Sequence, residues 1–257
     1  MCLIILALNK HPDYKLVLAA NRDEFFERPT LKADFWEENQ EILGGKDIKS
    51  GGTWLGITKN GRFIAITNYR DPNIERSDAI SRGELSKQYL TTDININDFL
   101  SQISKKKDQY NGFNLLLSED GLDSIYYYSN ITDQAVKIDD GIHGLSNHLL
   151  NTPWPKVIFG KNALADIINS SPIDQDNIME MLKNNDEAMG NSLPNTGISY
   201  ELEKKLSPVF ISMKGYGTRC STVIFVDRTN KVSFFEVIYN EKKQIIGKKS
   251  YKLQLKS

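Results

Sequence analysis

Met1-Cys2-Leu3-Ile4-Ile5-Leu6-Ala7-Leu8, and after it Lys15-Leu16-Val17-Leu18-Ala19-Ala20-Asn21-Arg22-Asp23-Glu24, are the stretches that decide the fold. Residues 2–8 and 15–20 are unbroken apolar runs, the pattern of strands buried on both faces. Asn9 to Tyr14, with Pro12 and Asp13, reads as a turn, so the two runs make a hairpin. A hairpin brings its strand ends together, which sets positions 21–24 beside Cys2. Removal of one residue would make Cys2 the amino terminus. Its α-amine, of ordinary pKa ~7.7–8.0, then keeps a neutral fraction near pH 7 that can accept the thiol proton. Arg22 is placed to hold a thiolate by charge and Asp23 to hold the ammonium. From position alone the competing reading is a packed strand cysteine, since free cysteine is among the most buried residue types. For Arg22 and Asp23 it is a solvated strand end with local ion pairs.

Working outward, residues 25–50 read as a polar, irregular stretch broken by Pro29 and Gly44-Gly45. Gly51-Gly52-Thr53-Trp54-Leu55-Gly56-Ile57 then leads through Lys59-Asn60-Gly61 into Arg62–Asn68, a second hairpin with Asn-Gly at its tip. Helical spacing covers 82–91 and 97–107, with Asn97 as the N-cap of the second. Strands are predicted at 113–118, 124–129 and 133–138. Helices follow at 154–168 and 174–184, then a loop over 187–196. Strands at 221–226 and 232–238, joined by Asp227-Arg228-Thr229-Asn230, close the pattern. Strands and helices come in blocks, which predicts an α+β fold with helices outside an antiparallel sheet sandwich. No linker or repeat divides the chain, and we read residues 1–257 as one domain.

Composition narrows the function classes. Of 257 residues, 40% are apolar and 25% charged, ordinary soluble usage. The 32 basic and 33 acidic residues leave a net charge of -1, which argues against a general nucleic-acid binder. Lys242, Lys243, Lys248, Lys249 and Lys252 read as a solvated edge. No secretion signal or membrane span is recognisable, and two cysteines are too few for a disulfide scaffold, so a cytoplasmic protein is expected. Three histidines make a multi-histidine metal site improbable, and the serine-hydrolase elbow, Walker loop, HExxH and CxxC patterns are absent. Oligomeric state is not legible.

Asn68 ends a strand and Asn147 sits in Gly144-Leu145-Ser146-Asn147-His148; each carries an amide able to donate to an oxyanion, though either alone is more often a turn-capping residue. Arg219, opening a late strand, is a second cation for substrate or nucleophile, or a surface strand-end arginine. Asn21, Trp54 and Tyr69 are candidates to line a substrate pocket, with Phe25 and Phe26 as further shape-setting side chains.

The Asn21-Arg22-Asp23-Glu24 string behind Met1-Cys2 resembles the NRDE family, also called the transport and Golgi organisation protein 2 family. Gly51-Gly52-Thr53-Trp54-Leu55-Gly56, Thr67-Asn68-Tyr69-Arg70, Gly144-Leu145-Ser146-Asn147, Asn151-Thr152-Pro153-Trp154-Pro155-Lys156 and Gly217-Thr218-Arg219-Cys220-Ser221-Thr222 extend the likeness over nearly the whole chain. That family is similar to the N-terminal-nucleophile (Ntn) hydrolases of the penicillin V acylase and bile-salt hydrolase branch. The resemblance implies a four-layer αββα sandwich, an N-terminal cysteine that attacks an amide, and catalytic positions at Cys2, Arg22, Asp23, Asn68, Asn147 and Arg219. The adjacency of Arg22 and Asp23 departs from the acylase spacing. The implied activity is hydrolysis of a non-peptide C–N amide or a thioester in a small-molecule substrate, with no cofactor. The resemblance also implies a second reading: a carrier of haem or another hydrophobic ligand, with Cys2, His148 or His143 as candidate axial ligands.

Overall fold

The computed structural model describes residues 2–170 and 172–256; Met1, on whose removal the expected nucleophile depends, lies outside them. β1 (Cys2–Leu8) and β2 (Tyr14–Phe25) form the predicted hairpin, in register from Leu8 opposite Leu16 to Cys2 opposite Arg22. β2 runs longer than the sequence suggested: Asn21 to Glu24 lie inside the strand, because it pairs with a second neighbour beyond the end of β1.

The stretch expected to be irregular is a further hairpin, β3 (Thr30–Trp36) and β4 (Asn39–Asp47). It buries side chains on both faces, Ala33 and Leu43 toward the other sheet and Trp36 and Ile42 toward the helix layer outside, and polar neighbours and two register shifts blur the alternation. β5 (Leu55–Thr58) and β6 (Phe63–Asn68) follow as predicted. α1 (Gly83–Thr91) precedes α2 (Ile96–Ser104), whose cap is Asn95 and not Asn97: Asn95 Oδ1 accepts from the Asp98 amide at 2.9 Å. Then come β7 (Phe113–Ser118), β8 (Tyr126–Ser129), β9 (Gln134–Lys137), β10 (Gly141–Leu145), α3 (Pro155–Asn169), α4 (Gln175–Met181), α5 (Tyr200–Lys205), β11 (Ser212–Met213), β12 (Tyr216–Asp227), β13 (Lys231–Tyr239) and β14 (Ile245–Gln254). Four of these, β10, α5, β11 and β14, were not expected. β14 is the outer strand of its sheet, carries Lys248, Lys249 and Lys252, and has no fully buried position. Its lysines are the solvated edge anticipated from charge, and they discourage pairing with another chain.

One sheet runs β10-β1-β2-β12-β13-β14, with β11 on β12; the other runs β3 to β9 in sequence order. Strand alternation splits the apolar side chains into three cores. Ile4, Leu6, Leu18, Leu43, Ile57 and Leu116 meet between the sheets. Leu3, Ile5, Val17 and Ala19 face Val157 and Leu164 of α3 and Ile178 of α4. Ile42, Ile64 and Leu115 face Leu85, Tyr89 and Phe99 of α1 and α2. The layers are therefore helix, sheet, sheet, helix, the expected αββα sandwich. Each such Leu or Ile is worth about 1.5–3 kcal/mol of burial. α3 lies close on the first sheet because a Cβ on Gly160 would stand 2.7 Å from Ile5 Cγ1, and one on Gly144 2.7 Å from Val157 Cγ1. Among the described residues no helix is long and apolar enough to cross a membrane.

Candidate active site

The hairpin register sets Cys2 and Arg22 side by side on the face that looks toward the second sheet, at the end of the sandwich. They open onto a cavity of about 400 Å³ that also contains Asp23, Trp54 and Asn68. Five of the nine expected site residues therefore meet. Cys2 is almost fully covered, and burial pushes its thiol up with the Asp23 charge adding to the rise, opposed by Arg22 and by a hydrogen bond from the Asp23 backbone amide. Its carbonyl accepts from Ser146 Oγ at 3.0 Å, which fixes the start of β1 against the strand end of β10.

Arg22 is buried. One amino group lies 3.4 Å from Asp47 Oδ2 and 3.9 Å from Glu24 Oε2, whereas Nη1 is enclosed without a hydrogen-bond partner. A guanidinium N–H held out of water without an acceptor carries an unmet desolvation cost that a neighbouring anion would relieve. Asp47 also accepts from Arg28 Nε at 2.5 Å. Burial alone would raise the Asp47 carboxyl, but Arg28, the Ser50 amide and Arg22 together bring it below the usual range. Asp23 sits one residue past the last β1 pair, so it borders the cavity from the end of the sheet. Thr218 Oγ1 donates to Asp23 Oδ1 at 2.7 Å. Burial raises this carboxyl and the nearby Lys156 ammonium opposes the rise.

The other four expected residues lie elsewhere. Asn21 points to the opposite face of β2, as alternation requires; its amide donates to the Leu182 and Val209 carbonyls at 2.8 and 2.9 Å and accepts from Ser221 Oγ at 2.6 Å. Tyr69 lines an adjoining cavity of about 250 Å³ and bonds His148 Nε2 at 2.9 Å. Asn147 lines that second cavity too, and its Nδ2 donates to the Asn68 carbonyl at 3.0 Å, so it holds Asn68 in place from behind. Arg219 is the extra residue of a bulge between Thr218 and Cys220. Its guanidinium turns away from Cys2 to the carbonyls of Phe25 and Arg28, at 2.7 and 3.1 Å, and lies over the Phe26 ring. Phe25 is exposed against Tyr216.

Several cavity residues escaped the sequence reading. Arg28, Lys49, Arg76 and Arg82 join Arg22 to make five cations against Asp23, Glu24 and Asp47. Arg82 stands between the two cavities, with its Nη1 on the Gly112 carbonyl at 2.9 Å. Nothing in its sequence surroundings marks it. Ser146, Thr218 and Lys156 do lie within recognisable strings, beside the residues first singled out.

The haem-carrier reading finds no ready ligand. His148 uses Nε2 on Tyr69 and Nδ1 on Thr152, and His143 uses Nε2 on the Asp139 carbonyl and Nδ1 on Asn151. Cys2 is surrounded by charged groups rather than by the apolar walls haem requires. The residues present do not fit the group.

Comparison with known proteins bears on the family and the fold. The family described as "Transport and Golgi organisation 2" matches residues 1–241. The chain belongs to that family. It is 40% identical over 258 residues to the Transport and Golgi organization protein 2 homolog of Homo sapiens, with 92% of each chain covered. It is 30% identical over 266 residues to the Transport and Golgi organization protein 2 of Drosophila melanogaster, covering 92% of this chain and 91% of that one. Among solved structures, the mutant C2A conjugated bile acid hydrolase from Clostridium perfringens superposes with a TM-score of 0.51, over 98% of this chain and 96% of that one at 12% identity. This member of the transport and Golgi organisation 2 family thus has the Ntn-hydrolase fold.

Proposed function

We propose that the chain is a cysteine Ntn hydrolase of non-peptide C–N amide bonds, with thioesters as a related substrate, and that it works in the cytoplasm, where its two free cysteines stay reduced. The observation that carries this reading is the pairing of Cys2 with Arg22 on the floor of a 400 Å³ cavity, with Asp23 at its edge. With Met1 removed, the neutral α-amine of Cys2 takes the thiol proton as sulfur attacks the substrate carbonyl. Arg22 steadies the thiolate, Asp23 orients the resulting ammonium, and the Asn68 amide donates to the oxyanion. The ammonium then gives its proton to the leaving nitrogen as the C–N bond breaks, leaving a thioester on Cys2. Water, deprotonated by the same amine, attacks that thioester and restores the thiol. The excess of cations in the cavity favours a substrate with negative charge near the scissile bond.

Intact-mass analysis of the purified protein, together with labelling by an acyl analogue that traps a thiol, tests this. The expected result is loss of the Met1 mass and one label on Cys2, abolished in Cys2→Ala. Hydrolytic activity in protein that keeps Met1 would overturn the mechanism.

A further inference from the structure

Of the cations around the Cys2 cavity, Arg82 is the half-buried one that has no counter-charge. Arg22 lies 3.4 Å and Arg28 2.5 Å from Asp47, Arg76 is exposed and bonds Asp78 at 3.1 Å, and Lys49 is exposed. Arg82, just before α1, spends one N–H on the Gly112 carbonyl at 2.9 Å, and a guanidinium has five to give. Among the described residues no carboxylate pairs with it, although Asp71 and Glu75 line the second cavity too. Its remaining donors, drawn partly out of water, are costly until an acceptor meets them. The side chain is also fixed in place. The carbonyl oxygen that holds Nη1 accepts the Tyr69 amide as well, at 2.8 Å, which ties Arg82 to the backbone beside Asn68. Arg82 and Asn68 each line both cavities, so together they form the threshold between them. Ser81, Arg82 and Gly83 bring the positive end of the nine-residue α1 to the same wall, and Ser86 of that helix anchors it by donating to the Thr53 carbonyl at 2.5 Å. A second guanidinium on the cavity is short of an acceptor too: Arg22 is 5% exposed, and its Nη1 has no hydrogen-bond partner. Both deficits have the same sign, and an anion in the cavity answers them.

We propose that Arg82 determines substrate specificity: its guanidinium fork takes a carboxylate or phosphate group of the substrate in two parallel N–H···O bonds at the threshold between the cavities. The proposal deepens the hydrolase reading given above and rests on it for calling the bound molecule a substrate. Asn68, the oxyanion donor in that reading, shares the threshold, so the anionic group lies close along the chain to the scissile carbonyl. The substrate class is therefore an amide or thioester that carries a carboxylate or phosphate near that carbonyl, and neutral amides of the same size bind poorly. A lysine at this position supplies the charge without the fork.

The test uses the Cys2→Ala protein, so that binding is read whether or not Cys2 is the nucleophile. Two probes, inorganic phosphate and glutarate, are titrated against the arginine Nε–H signals in NMR spectra, with Arg82 assigned from Arg82→Lys. At least one probe shifts the Arg82 signal saturably. Its affinity, followed in the variants through the Gly83 amide, falls about tenfold or more in Arg82→Lys and stays within about twofold in Lys49→Gln. The tighter probe tells phosphate from carboxylate. No saturable shift with either probe overturns the proposal, and so does a weakening no greater in Arg82→Lys than in Lys49→Gln, since charge alone then explains binding. Should Arg82→Lys fail to fold, phenylglyoxal on the Cys2→Ala protein decides: peptide mass shows Arg82 shielded by the tighter probe and the exposed Arg228 unshielded, and an unshielded Arg82 overturns the assignment. Retained Met1, read by mass in the unsubstituted protein, counts against the nucleophile and leaves the anion site standing.

Discussion

At the residue scale the site is an exercise in holding charge out of water. Cys2, Asp23, Arg22 and Lys156 are all nearly or fully buried, and burial pushes the Cys2 thiol and the Asp23 carboxyl up and the Lys156 ammonium down, each toward its neutral form. Removing one member of such a pair leaves a bare charge, whereas removing both leaves none. Lys156→Met alone is therefore expected to cost about 3 kcal/mol in urea unfolding, and Asp23→Asn with Lys156→Met together about 1 kcal/mol or less. Equal losses in the single and double variants would show that the two do not interact. The two cysteines should also separate. Burial raises both thiols, Cys220 more strongly and beside the Glu236 carboxyl, and only Cys2 borders the large cavity. Iodoacetamide at pH 8 should label Cys2 first; preferential labelling of Cys220, mapped by peptide mass, would contradict the cavity assignment.

At the element scale, the loop before β5 and the start of α1 enclose the cavity from one side. They are pressed together: a Cβ on Gly52 would lie 1.9 Å from the Gly83 carbonyl oxygen, a backbone atom unable to swing aside. Thr53 ties the same contact, its amide donating to Ser86 Oγ at 3.1 Å. Gly52→Ala should cost about 1–3 kcal/mol of stability and change the Cys2 alkylation rate, because the loop must lift from α1. Unchanged thermal midpoint and alkylation would show that the loop has slack. Farther from the site, Asn95→Ala removes a helix cap and should cost about 1 kcal/mol while leaving alkylation as it was. The pair of variants separates loss of stability from loss of site geometry.

At the scale of the whole molecule, the two sheets are joined by more than their shared apolar core. Glu236 of β13 accepts the Ala33 amide of β3 at 2.7 Å, and Lys249 of β14 reaches Asp34 at 2.5 Å. Burial raises the Glu236 carboxyl above its ordinary 4.5. The folded chain therefore holds this proton to higher pH than the unfolded chain does, and stability falls as pH rises from 4.5 through the folded value. Glu236→Gln keeps the acceptor for Ala33 without the ionisation. It should be more stable than wild type at pH 7, with the gain gone below pH 4.5, as read from urea midpoints at the two pH values. A gain that persists at pH 4 would point to packing instead.

Residues 2–24 determined a great deal by themselves. Two continuous apolar runs around a turn permit little but a buried hairpin, and such a hairpin sets the 21–24 stretch beside Cys2, while the register that pairs Cys2 with Arg22 was fixed by the folded sheet. The Asn60-Gly61 turn, the layered α+β order and the lysine-rich edge were legible for the same reason, since local periodicity and turn chemistry carry them. The β3 and β4 hairpin was not, because its apolar positions are few and its register shifts twice. Tertiary structure alone decided which way each site candidate points. A one-residue difference in strand parity sends Asn21 to the helices, a bulge turns Arg219 outward, and a backbone carbonyl claims the Asn147 amide. Arg82, Asp47 and Lys156 reach the site from separate elements through long-range packing, so their part in it appears only once the sheets and helices have closed around Cys2.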